Sequence, residues 1–253
     1  MKRKGLLVFI MVIGLMFTVG MLPASAQVIE KSDQWKSFFN IYGWANIVSG
    51  DVKVKGLESD ISNDFDDFWS NSKFWFGAHY EGFKGPWGIM VDGFYNSFEA
   101  EREHPGGTVP GRRQMKFNQT FIEVAVPYRF AWNPVVDVFV GGRFNNIYAE
   151  IAIPSAALKR DDNLAFVDPI VGGRAFFPIN KTWLFGLRGD IGGFGIGNAS
   201  DLALNGSAFF NWQIDKLWSM QFGYRALYIK YNEGEKEWKG TQHGPWVGLG
   251  WSF

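Results

Sequence analysis

The chain has 253 residues, 47% hydrophobic and 18% aromatic, with 25 lysines and arginines against 25 aspartates and glutamates. It contains no cysteine, which excludes a disulfide framework, a thiolate metal site, a cysteine nucleophile and a lipid-modified cysteine anchor. The even charge balance gives no reason to expect a nucleic-acid partner.

Lys2, Arg3 and Lys4 open the chain, followed by an uncharged apolar run from Leu6 to Leu22 and then Pro23, Ala24, Ser25 and Ala26. This is the form of a secretory signal peptide cleaved after Ala26. A retained membrane anchor is the alternative, because the run is just long enough to span a bilayer. Cleavage divides the chain into a signal peptide, 1–26, and a mature domain, 27–253, of 227 residues (253 − 26). The mature domain carries 22 basic against 25 acidic residues, a formal charge of −3. It has no second run of about 18 apolar residues that could form a membrane-spanning helix. The mean hydropathy of −0.09 still allows a transmembrane β-barrel, whose strands alternate apolar and polar side chains.

That period-2 alternation runs through the mature sequence. It recurs near 37–49, 72–83, 88–99, 115–130, 135–149, 165–177, 182–195 and 203–213. It appears again where Trp218, Met220, Phe222, Tyr224 and Ala226 oppose Ser219, Gln221, Gly223 and Arg225. In the last segment Val247, Leu249, Trp251 and Phe253 alternate with Trp246, Gly248, Gly250 and Ser252. This ending resembles the terminal strand of bacterial outer-membrane proteins, and the resemblance implies that Phe253 is part of the signal read by the outer-membrane assembly machinery.

The ten segments are joined alternately by short turns, such as 84–87, 131–134, 178–181 and 214–217, and by long connections near 50–71, 100–114, 150–164, 196–202 and 232–240. The pattern predicts an all-β, antiparallel up-and-down transmembrane barrel of about ten strands, in an outer membrane and in contact with its lipid. Eight or twelve strands also fit, since 52–62 could extend a hairpin above the membrane. Trp87, Trp132, Trp183 and Trp218 fall at the short turns, and Trp35 and Trp251 near the chain ends, so all six are expected in one interfacial girdle. The alternative is a soluble β-protein whose strands begin with aromatic residues. The tryptophan intervals of 45, 51 and 35 residues (87 to 132 to 183 to 218) are too uneven for propeller blades.

Charges recur on the inward phase. Arg143, Arg174, Arg188 and Arg225 each follow a glycine two residues earlier, and a glycine on the same face is expected to leave room for the guanidinium. Glu81, Asp92, Glu123, Asp137, Asp168 and Asp190 have the phase to meet these arginines and Arg129, which predicts an ion-pair network filling a narrow lumen. A narrow polar conduit or a small-ligand cavity would use the same residues. Residues Asn63 to Trp69 read as a short amphipathic helix at the mouth. Asp64, Asp66 and Asp67 lack the glycine and glutamate of a full calcium loop, so no metal or cofactor is expected. Of the three histidines, His79, His104 and His243, neither His104 in its loop nor His243 near the outer rim has a nucleophile or carboxylate at motif spacing, and the chain is expected not to be an enzyme. A hydrolase at the outer rim, acting on lipid or peptide, is the alternative.

Five segments together resemble a family of largely uncharacterised Gram-negative outer-membrane β-barrel proteins. They are Val167-Asp168-Pro169-Ile170-Val171-Gly172-Gly173-Arg174; Leu187-Arg188-Gly189-Asp190-Ile191-Gly192-Gly193-Phe194-Gly195; His243-Gly244-Pro245 before Gly248-Leu249; Tyr42-Gly43-Trp44; and Gly50-Asp51-Val52. The resemblance covers most of the mature chain. It implies location and fold, and carries no reaction, substrate or catalytic residue.

Overall fold

The computed structural model describes residues 34–54, 57–62, 72–104, 111–234 and 236–253. The signal peptide expected over 1–26 and the helix and aspartates expected within Asn63 to Trp69 lie outside the described residues.

The strands are Lys36–Trp44 (β1), Ile47–Val54 (β2), Leu57–Ser62 (β3), Ser72–Lys84 (β4), Trp87–His104 (β5), Gly111–Phe130 (β6), Val135–Ile153 (β7), Leu158–Pro178 (β8), Trp183–Gly193 (β9), Leu202–Gln213 (β10), Trp218–Glu233 (β11) and Lys236–Ser252 (β12). β1 and β2 are consecutive parts of one wall strand, interrupted at Ala45 and Asn46. With β4 to β12 this makes a closed antiparallel barrel of ten strands, sealed where β1 meets β12. β2 and β3 form a hairpin that continues above the seam and pairs with the first half of β12.

Register fixes the shape of the barrel. Phe38 pairs with Glu81, and the row continues through Met90, Ala125, Gly141, Ile170, Gly192, Ala203, Ile229 and Gly240 to Gly50. One circuit therefore returns to the first wall strand twelve residues higher (50 − 38). A stagger of this size over ten strands requires strands tilted by about 40° and leaves an interior that side chains can fill.

The alternation has two regimes. Toward the short turns, outward side chains are apolar. On β7 they are Val136, Val138, Val140 and Phe144, and on β6 Ile122, Val124 and Val126, while Asp137, Arg143, Glu123 and Arg129 point inward. Toward the long connections the sense reverses. Ile147, Ala149, Ile151 and Ile153 of β7 are buried inside, and Tyr148 and Glu150 face out. The expected loops at 100–104, 111–114, 150–153, 158–164 and 236–240 are therefore strand. Polar outward residues hid them from a pattern sought as apolar-outward.

The walls are also uneven. β9 and β10 stop at Gly193 and Leu202, and β8 pairs with β9 only from Ile170 to Pro178. Pro169, which has no N–H to donate, sits where that pairing ends. Beyond this level β5–β8 and β11–β12–β2–β3 stand without a wall between β8 and β11, and β2 comes within 8 Å of β8, Cα to Cα. The two sheets enclose a core that includes Val48, Phe98, Phe117, Ile147, Phe166, Leu227, Ile229 and Trp238. Phe117 meets Trp238 and Phe166 stacks on Tyr231, at ring-centroid separations of 5.3 and 4.4 Å. The upper part is thus an apolar-cored head on a polar-cored barrel.

Candidate functional site

The inward charges of the lower barrel gather into two clusters. In the one nearer the turns, Arg129 grips Asp137 through Nε and Nη2, both at 2.8 Å. Arg174 donates through Nε to Oδ2 of that carboxylate, which Arg129 also uses, at 2.8 Å, and reaches Glu81 as well. The Arg129 guanidinium lies 3.7 Å from the centroid of the Phe83 ring, and that of Arg174 lies 5.0 Å from the Phe176 centroid. These rings give the cations an apolar contact that needs no further hydrogen bond.

The second cluster lies above it. Arg143 donates to Glu123 at 2.8 Å and to Asp190 at 2.6 Å, and Arg188 donates to the same two carboxylates. Arg225 donates to Asp92 at 3.1 Å and to the Asn205 amide oxygen at 3.0 Å, and Asn205 donates to Asp190 at 2.6 Å. The Tyr42 hydroxyl completes Asp92 at 2.8 Å. His79 stands between the clusters, 3.9 Å from Asp92 and 3.8 Å from Glu81. Two arginines oppose two carboxylates below, and three oppose three above. Charges this far from water persist only when matched in this way.

Asp168 departs from the arginine-partner role that its phase predicts. It is fully buried, and its carboxylate accepts from the Ser200 backbone N–H at 2.8 Å and from the Asn145 amide at 3.1 Å. Ser200 belongs to the connection between β9 and β10, so Asp168 tethers that connection inside the barrel. The role expected of the glycines is corrected too. A Cβ on Gly186 would strike the Phe209 ring, one on Gly223 would strike the Phe209 Cβ and backbone, and one on Gly172 would strike the Phe139 ring. The space beside each arginine is taken by an aromatic ring or by backbone.

All six tryptophans expected in the girdle lie at the turn end of the wall. Trp218 stacks on Trp251, Trp183 on Trp212, Trp132 on Phe130, and Trp87 meets Tyr128 edge-on. Trp35 donates to Ser37 at 3.0 Å. At the seam, Phe253 and Ser37 exchange both backbone hydrogen bonds, at 2.8 and 2.9 Å.

Sequence reasoning missed Tyr42 and Asn205 as members of the upper cluster, and His79 between the two. All three have the inward phase, and that phase was the available signal. It also missed an amide chain in which Asn40 donates to Gln221 at 2.8 Å and Gln221 to Asn211 at 3.1 Å. For hydrolysis, His243 faces outward and its Nδ1 lies 2.6 Å from the Tyr224 hydroxyl, a partner that is neither serine nor carboxylate. The side chain of His104 lies outside the described residues.

No protein-family model and no curated protein matches the chain. Among solved structures, the attachment invasion locus protein Ail of Yersinia pestis, in complex with the heparin analogue sucrose octasulfate, is 11% identical. That match covers 87% of this chain and 99% of Ail, with a TM-score of 0.39. The translocator domain of the autotransporter NalP from Neisseria meningitidis is 10% identical, over 89% of this chain and 91% of that domain, with a TM-score of 0.42. The Pseudomonas putida toluene transporter TodX is 9% identical, over 90% and 91%, with a TM-score of 0.29.

Proposed function

We propose that this chain is an integral outer-membrane barrel with a closed lumen, acting as a structural or small-ligand-binding surface protein. The apolar outward band spans nine residues on β7, from Val136 to Phe144, which matches a tilted transmembrane strand of about 9–11 residues. The tryptophans edge that band on the turn side and polar outward residues edge it on the other, as an interface with lipid requires. The terminal strand ending at Phe253 is then the segment offered to the assembly machinery.

One observation carries the closed-lumen reading: both charge-neutral clusters cross the interior inside the apolar band, and an apolar core lies above them. An open water-filled path would leave arginines hydrated along one side. Here Arg143 is fully buried, with Glu123 and Asp190 as its partners. Planar-bilayer recording of the refolded chain tests this, with Arg188→Ala alongside. Silent bilayers from correctly folded protein are expected, and discrete steps that change size in the variant would replace the reading with a selective channel.

A further inference from the structure

With Asp168 counted, the upper interior holds four carboxylates, Asp92, Glu123, Asp168 and Asp190, against three arginines. Among the described residues no lysine or arginine nitrogen lies within 4.0 Å of Asp168. Arg143, its register partner across β7–β8, directs its guanidinium to Glu123 and Asp190 instead, and a buried carboxylate left without an ion pair is costly, a cost that proteins resolve by neutralising the charge or by supplying a cation. The surroundings of Asp168 are oxygen-rich. The Asn145 side-chain oxygen is buried with no hydrogen-bond partner, and the buried Ser200 hydroxyl adjoins the carboxylate.

We infer that Asp168, Asn145 and Ser200 form an internal site for an alkali-metal cation. One carboxylate with neutral amide and hydroxyl oxygens is a hard-oxygen set, suited to sodium or potassium and unsuited to softer metals. Charge selects the valence: a monovalent ion cancels Asp168, whereas a divalent ion would leave a net positive charge in the same buried place. Because Ser200 is also the tether of the β9–β10 connection, the cation secures the low side of the wall. This inference rests on the closed lumen, since an open one would let water serve Asp168.

The test is thermal unfolding of the refolded full-length chain in detergent, in NaCl, KCl or choline chloride at equal ionic strength, so that screening of exposed charges is common to all three. Sodium or potassium is expected to raise the unfolding midpoint over choline, increasingly with the logarithm of concentration, as binding to the folded state requires. Asp168→Asn, checked for folding by its electrophoretic shift on heating, is expected to lose the difference. Ser200→Ala keeps the charge and the backbone donor, and is expected to need more salt for the same rise. Equal midpoints in all three salts for the wild-type chain would overturn the site, as would a full response retained by Asp168→Asn. Bilayer conductance would undo the closed-lumen reading without altering this salt comparison, so the two failures are separable.

Discussion

The two halves of this barrel use the same strands and opposite chemistry. In the lower half the outside is apolar and the inside is ionic, while in the head the outside is polar and the inside is aromatic and aliphatic. β7 shows both within one strand: Val138 and Val140 face out below, whereas Ile147, Ala149 and Ile151 face in above. What differs is the medium that each outer surface meets, and each interior follows from what the outside leaves over. The lower interior is held by directional charge pairs and the upper by undirected burial, so the halves should respond differently to the same kind of damage.

Removing Glu123 should do the most harm, because it takes a carboxylate from Arg143 and Arg188 at once and leaves Asp190 to face both buried guanidinium groups. Glu123→Ala is expected to cost about 3–5 kcal/mol in urea unfolding from lipid vesicles. A much smaller loss would mean that the ionic interior adapts as freely as the head. Trp238→Ala is expected to cost about 3 kcal/mol by opening the upper core, with faster amide exchange confined to the loop-end halves of β6, β11 and β12. Equal acceleration across Val136–Phe144 would show that the halves unfold as one and would erase the contrast. Lys230→Ala removes an exposed 3.4 Å pair with Asp201 and is expected to cost under about 0.5 kcal/mol.

The smallest effect is expected at the turn before β11. There the backbone N–H groups of Trp218 and Leu217 hold the exposed Asp215 carboxylate below its ordinary range. A lowered folded-state value means that this contribution is complete above the ordinary aspartate range and is lost as pH falls through the lowered one. Asp215→Ala should therefore flatten only the acid limb of a stability–pH curve, and a change confined to neutral pH would contradict the assignment.

The lower half was legible in the sequence because aromatic and branched residues there alternate outward and arginines share one inward phase. Strand number, the turn-end tryptophans and the meeting of Arg143 with Glu123 follow from that phase. The head was not, although its alternation is equally regular: Met115 and Phe117 face in where Gln114 and Lys116 face out. A period-2 pattern says which residues share a face and is silent on which face is inside. Asp168 misled for a related reason. Phase places a carboxylate in the lumen, but only the three-dimensional course of the β9–β10 connection brings the Ser200 N–H to it.

Because β5 to β8 run unbroken from the lower half into the head, the two share one parity of residue count. A single residue inserted in β7 between Arg143 and Ile147 would leave the belt below it in register and turn every head residue above it inside out, presenting Ile147, Ala149 and Ile151 to water. A two-residue insertion would restore the faces and merely lengthen the strand. Insertions and deletions tolerated in these four strands should therefore come in even numbers, a rule that a scan of single and paired insertions could read directly from the yield of folded protein.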